Sequence, residues 1–385
     1  MLAHVRPSYL ILLTALPFVV YLFATTATYQ SALRFLLPGI GTTVLVTVLA
    51  YLAAAALGLL LAGLQRLRLG ERTLRTYLIA GTVLLAGATF LLTRPRSEYS
   101  LIGQEGGLVA IISGTPASAS AKVRNGEYPG AGGRFPVRAV PDAAAAFERL
   151  ASGVVSAAFV PSETVPDGMN VLWQSSFLPP AQQRPGMLLA VLGAFTLALT
   201  LAAFISRHHP LRVIADLYVD LLRGIPMLVV ILYVGFPLQG AIREATGGFI
   251  DMSRLTRGVV GIALGYAAYM AEVFRAGIEA VPRGQTEAAR SLGLNGWQVA
   301  RHVVLPQALR IVVPPLGNEF IAMLKDTSLL SVLSVRDITQ RAREFQAATF
   351  EVFPPFNTVA LLYILLTLAA SSLAKSVERR STWTR

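Results

Sequence analysis

Residues 284–309, GQTEAARSLGLNGWQVARHVVLPQAL, decide how the chain is read. They form a polar amphipathic stretch between two strongly apolar runs. Thr286 to Leu292 are good helix formers, and Glu287 falls in the first turn of the predicted helix, where the helix dipole favours a carboxylate. Gly293 follows at the position where a left-handed C-cap is expected. Asn295 can then cap a second helix, beginning near Gly296 and running toward Leu305-Pro306, where Pro306 limits continuation. Leu292, Leu294 and Trp297 leave an apolar knob at the elbow. A helix–elbow–helix of this kind is built to be gripped by another protein.

Outward from the elbow, the chain is apolar on a scale no soluble core explains. Of 385 residues, 54% are hydrophobic and 14% charged, with a mean hydropathy of +0.59. Apolar runs near 8–24, 38–64, 76–93, 186–205, 226–240, 258–279, 311–334 and 357–376 approach the roughly 20 residues needed to cross a bilayer. They predict about eight crossings. The run at 8–24 reads as a retained anchor, because no clean small-x-small cleavage site follows it. The net charge of +12 sits at the ends of these runs without aromatic interleaving, which fits membrane topology and not nucleic-acid binding. Arg66, Arg68, Arg72 and Arg75, then Arg207 to Arg212, and finally Lys375, Arg379 and Arg380 put those loops and both termini in the cytoplasm. His208 and His209 read as juxtamembrane charge and not as a metal site. Without Cys the chain has no disulfide, thiolate metal site or Cys nucleophile.

Residues 70–205 read as a two-helix insertion carrying an external domain at about 100–180, between N-terminal spans at 1–69 and a core domain at 206–385. Within it, 106–163 alternate α and β. Leu108 to Ser113, Val137 to Val140 and Val154 to Val160 are predicted strands. Thr115 and Pro116 are predicted to open one helix as cap and first residue. Asp142 caps another, with an apolar face of Ala143, Ala146, Phe147 and Leu150, ended by Gly153.

Against a background of apolar spans, Lys325-Asp326-Thr327-Ser328 stands out. Charges at membrane depth face a bundle interior or water, so a translocation path or gate is one reading. Mutual neutralisation of Lys325 and Asp326 in a structural role is the other. No G-x-x-x-x-G-K-[ST] occurs, so the chain has no phosphate cradle of its own, and no G-x-S-x-G or H-E-x-x-H points to hydrolytic chemistry.

EAARSLGLNGWQVARHVVLP resembles the EAA loop of ABC-importer membrane subunits, EAA-x3-G-x9-I-x-LP. Glu287, Ala288, Ala289, Gly293, Leu305 and Pro306 match, and Val303 stands for Ile. YVDLLRGIP (Tyr218 to Pro226) and LKDTSLLSV (Leu324 to Val332) are similar to the polar amino-acid branch of that family, with Ile225 replacing Thr in its RGTP. The resemblance implies an all-α polytopic membrane protein with the type I ABC importer transmembrane fold, here with a small α/β extracytoplasmic insertion. It implies transport and not catalysis, in the bacterial inner membrane. ATP and Mg would be bound by separate ABC ATPase subunits, which grip the first EAA helix through Glu287, with Gly293 as elbow and Leu292 and Trp297 as apolar packing. A second permease copy or homologue and an extracytoplasmic substrate-binding receptor would complete the assembly within the lipid.

The insertion is similar to part of the second lobe of amino-acid receptors. There Gly114 and Thr115 match a turn that holds the ligand carboxylate at a helix N-terminus. Ser156 and Pro161 replace two Asp of that pattern, so the lobe is degenerate. The competing expectation is a membrane sensor or receptor–channel fusion in which this domain detects an amino acid.

Overall fold

A computed structural model describes residues 21, 23, 25–94 and 96–382; the run expected at 8–24 lies, apart from residues 21 and 23, outside the described residues. The chain forms two compact units, one from Leu69 to Pro210 and the other from the flanks up to Arg68 and from Leu211 onward. Among the described residues six helices are long and apolar enough to cross a membrane: Ala27–Leu64, Glu71–Leu92, Gln182–Ser206, Met227–Ala245, Arg254–Glu279 and Phe353–Arg379.

In the flanking unit, α1 (Ala27–Leu64) runs through Pro38 and buries a stripe of small residues that includes Gly39, Thr43, Ala50, Ala54 and Gly58. At Gly58 an added Cβ would lie 2.9 Å from Met270 Cβ and 3.0 Å from the Ala267 carbonyl, so the helix that carries those residues approaches backbone to backbone.

The middle unit opens with α2 (Glu71–Leu92). A five-stranded sheet follows, β1 (Ser97–Gly103), β2 (Val109–Ile112), β3 (Val137–Val140), β4 (Ala157–Pro161) and β5 (Val171–Phe177), ordered β3-β2-β4-β1-β5. Helices α3 (Ala117–Asn125) and α4 (Ala143–Ala151) make the crossovers of the parallel β2, β3 and β4. Strand alternation sends Leu101, Val109 and Phe159 to one core with Val123 of α3. Ile102, Ala110 and Ala158 go to a second core with Ala146 of α4. In the first core Tyr128, Trp173, Phe159 and Tyr99 stack in series at 5.5–5.8 Å. Burial pushes the Tyr99 phenol pKa up, and burial with Glu105 nearby does the same at Tyr128. The unit closes with α5 (Pro180–Ser206), which packs on α2 by interlocking glycines and leucines. Gly81 meets Leu197, Gly193 meets Leu85, and Gly186 meets Leu92.

Three sequence expectations are corrected here. β1 and β5 were not foreseen: each is paired antiparallel with a strand far away in sequence, and the third expected strand starts at Ala157 and not at Val154. Thr115 does not cap α3. Pro116, with φ −52° and ψ 134°, is itself the N-cap residue, and the Thr115 hydroxyl is buried without a partner. Asp142 does cap α4, its Oδ1 accepting from Ala145 N at 2.8 Å.

Beyond the middle unit come the amphipathic α6 (Pro210–Gly224), then α7 (Met227–Tyr233), a π turn at Val234–Leu238 and α8 (Gln239–Ala245). The long α9 (Arg254–Glu279) fills the centre of this unit with Gly261, Ala267, Ala268 and Ala271 buried. After it come α10 (Arg283–Ser291), α11 (Gly296–Val299), a second π turn at Ala300–Val304 and α12 (Leu305–Asp326). Pro306 does not stop the second elbow helix as expected. Both π turns sit beside a proline (Pro237 within one, Pro306 just past the other), where the wider register accommodates a residue without N–H.

The span expected at 311–334 also departs. It is α-helical only to Asp326 and then tightens into a 3₁₀ turn, Thr327–Leu333. α12, which carries Gln307, Arg310, Asn318, Glu319, Lys325 and Asp326, is not among the six long apolar helices. A further helix, α13 (Ile338–Thr349), precedes α14 (Phe353–Thr382). Its cap, Asp337, is buried; Oδ1 accepts from Gln340 N at 2.7 Å and Oδ2 from the Tyr363 hydroxyl at 3.3 Å.

Candidate functional site

The elbow is assembled almost entirely from local rules. Pro282 precedes α10, which begins at Arg283, so Glu287 lies in the second turn and not the first. The helix ends in a Schellman motif: Leu294 N donates to Ala289 O at 3.2 Å and Gly293 N to Arg290 O at 2.9 Å, with Gly293 at φ +84°. Two residues on, Asn295 and Gln298 form a reciprocal capping box, both bonds 2.9 Å. One stop and one start, separated only by Leu294, fix the angle between α10 and α11.

What the elbow leaves uncovered matters as much. Ala289 and Val299 are buried, while Glu287, Ala288, Leu305 and Pro306 are exposed. Leu292 is 81% and Trp297 72% exposed, and Leu294 is half-buried. An exposed leucine and tryptophan on a short polar segment form an apolar projection left largely uncovered by the described residues, the form expected of a contact point.

The Lys325–Ser328 stretch resolves differently from the sequence expectation. Lys325 is exposed and makes no ion pair with Asp326. Asp326 Oδ2 instead accepts from the Tyr266 hydroxyl of α9 at 2.8 Å. Thr327 is buried and turns its hydroxyl to the Leu324 carbonyl at 2.7 Å, and Ser328 is half-buried. Glu319, two helical turns before Asp326, is also half-buried on α12.

From Tyr266 a polar seam continues along α9. The Tyr269 ring lies 6.1 Å from that of Tyr266, and the Arg223 guanidinium stands 5.9 Å from the Tyr269 ring. Arg223 reaches Glu272 at 3.9 Å, which is held by Arg275 at 2.7 Å; Arg275 also holds Glu279 at 2.8 Å. Sequence reasoning missed this seam. Its signal is there: Tyr266, Tyr269, Glu272, Arg275 and Glu279 repeat at three- and four-residue steps through an otherwise apolar helix. In the middle unit, Gly114 does adopt φ +98°, but the unpaired Thr115 hydroxyl beside it is no helix cap.

Comparison with known proteins bears on these features. Residues 194–383 match the family described as binding-protein-dependent transport system inner membrane component. The glutamine transport system permease protein GlnP of Escherichia coli (strain K12) is 33% identical over 195 residues, 51% of this chain and 84% of that protein. The chain belongs to this family. It is a multi-pass membrane permease of the ABC amino-acid importer class. The permease is also 35% identical over 195 residues to the probable glutamine ABC transporter permease protein GlnM of Bacillus subtilis (strain 168), covering 50% and 86% of the two chains. A crystal structure of an amino acid ABC transporter with histidines is 38% identical, with a TM-score of 0.40, and 44% of the permease covers 77% of that chain. The family match begins at Ala194, beyond the sheet of the middle unit.

Proposed function

We propose that the permease forms the translocation path for polar amino acids and is driven by a separate ATPase subunit through residues 284–309. The observation that carries this reading is the elbow, rigidly angled by its Schellman turn and capping box yet presenting Leu292 and Trp297 almost bare. A rigid lever with an apolar tip transmits a partner's movement into α12, with which α11 is continuous through the π turn. ATP and Mg belong to the partner, since no phosphate cradle occurs in this chain.

The path itself runs along the α9 seam and the polar face of α12. Tyr266, Asp326 and Glu319 offer hydroxyl and carboxylate groups to the ammonium end of an amino acid, replacing water that the membrane interior lacks. A second copy or a homologue closes the path, and a receptor delivers substrate from outside.

Glu287→Lys and Gly293→Val test the lever. The first puts a cation where a carboxylate projects; the second forces a β-branched residue to φ +84°. Both variants are expected to assemble with the ATPase and to lose receptor-stimulated ATP hydrolysis while basal hydrolysis persists. Wild-type stimulation in both would remove the elbow from the coupling path.

A further inference from the structure

A cavity of about 460 Å³ opens where the residues just past α1 meet α6 and α9, at the ends that the arginine-rich loops assign to the cytoplasm. None of the elbow residues 284–309 lines it. Its volume falls within the range of about 300–1,000 Å³ that small-ligand sites occupy. Much of its charge is already neutralised. Arg212 holds Asp216 at 3.4 Å along α6, and Arg275 holds Glu272 at 2.7 Å and Glu279 at 2.8 Å along α9. What remains is Asp220, Arg66 and Arg68, without an ion-pair partner among the described residues, and the side chain of Gln65. Gln65 is 5% exposed, and its Nε2 donates to Asp216 Oδ1 at 3.0 Å. An ionised carboxylate only accepts, so the amide nitrogen must face Asp216, and Oε1 is left buried without a donor among the described residues. A buried acceptor in that state is costly, and the cavity it lines therefore asks for an N–H donor.

We propose that this pocket holds a free α-amino acid on the cytoplasmic side, its ammonium on Asp220 and the Gln65 carbonyl and its carboxylate on the Arg68 guanidinium. Unpaired groups of both signs match a zwitterion: a plain cation would meet the free arginines, and a plain anion would meet Asp220. The Arg68 fork suits a carboxylate. Arg66 also borders the cavity beneath the elbow, and the site does not depend on it. Glu272, Arg275 and Glu279 are the inner end of the polar seam of α9, so the pocket is where an amino acid leaving that seam is next held. The inference rests on the amino-acid translocation proposed above.

The experiment is equilibrium binding of radiolabelled L-glutamine to the full-length permease in nanodiscs. Wild type is expected to bind it. Glutaramate, which lacks the ammonium, and the decarboxylated amine, which lacks the carboxylate, should compete at least about tenfold more weakly. Asp220→Asn, Arg68→Gln and Gln65→Met should each weaken binding about fivefold or more, and Arg72→Gln, outside the pocket, should not. Asp220 and Arg68 are exposed, so their variants carry the test even where Gln65→Met does not fold. Equal loss in Arg72→Gln would mean diffuse charge and overturn the proposal. So would an absence of binding in the wild type, or undiminished binding in Asp220→Asn and Arg68→Gln. Equal competition by the amine would make the pocket a cation site and overturn it too. Tyr266→Phe separates this site from the path: binding lost there and kept in the pocket variants would leave the amino acid on the path alone. Binding lost in the pocket variants and kept in Tyr266→Phe supports the pocket, whatever becomes of the path.

Discussion

Asp326 shows how a single side chain is made tolerable in an apolar surrounding. A carboxylate there is costly unless donors or water reach it, and Tyr266 supplies a donor at 2.8 Å from the neighbouring helix. Tyr266→Phe keeps the ring packing and removes that donor, at an expected cost of about 1–3 kcal/mol. Uptake in proteoliposomes should fall at least several-fold while membrane yield stays normal; undiminished uptake would take Asp326 out of the path. Gly293 and Asn295 were legible in the sequence because caps and left-handed turns are decided within a few residues. The Tyr266–Asp326 pair was not, because the two residues are 60 positions apart and only helix packing brings them together. Thr115 failed for a subtler reason: Pro116 moved the helix start by one residue, and a one-residue shift is enough to disarm a cap.

At the scale of elements, small residues decide which helices touch. The α2–α5 hairpin meshes Gly81 with Leu197, Gly193 with Leu85 and Gly186 with Leu92, an antiparallel register in which each glycine receives a leucine. Gly193→Val should therefore destabilise the hairpin by about 1–3 kcal/mol through overpacking. Pairing it with Leu85→Ala should recover part of that loss, because the new methyls fill the vacated space. Thermal denaturation in detergent reads both, and an additive double variant would argue against direct meshing. The elbow's capping box gives a second check. Asn295→Ala is expected to cost about 1 kcal/mol and to loosen the angle of α11 against α10 without changing expression. The positions of most helices were legible from apolar runs, but their ends and continuity were not. Pro306 reads as a stop in isolation, and it is the π turn before it that lets the rod continue. The run at 311–334 reads as a plain span, yet its polar residues and 3₁₀ end mark it as an element shaped by interior contacts.

At the scale of the whole molecule, the middle unit is a self-contained passage between Leu69 and Pro210, with its own hairpin and sheet. The permease has no Cys, so single-Cys variants can be labelled without background. Ser118→Cys and Ala245→Cys, both at exposed positions, should react with impermeant maleimide in intact cells, and Gly70→Cys and Ser291→Cys only after permeabilisation. Labelling of Gly70→Cys from outside would break the orientation that the arginine-rich loops imply. The strands missed in the sequence decide how to test the sheet domain itself. β1 and β5 are neighbours, and Ser97 pairs with Phe177, so the domain leaves the sheet beside where it enters. Antiparallel partners stand about 5 Å apart, a gap a few Gly and Ser residues close without strain. Replacing 97–177 by such a bridge should preserve membrane insertion and basal ATP hydrolysis and alter receptor affinity. The domain by itself should bind no proteinogenic amino acid below millimolar concentration. A zwitterion removed from water needs both charges paired, at a cost of several kcal/mol for an unpaired ammonium. Here Pro161 ends β4 where a carboxylate would be needed, and the Gly114-Thr115 turn offers an anion no capping hydroxyl. Micromolar binding by calorimetry would reverse this and make the sheet domain a working receptor fused to its own permease.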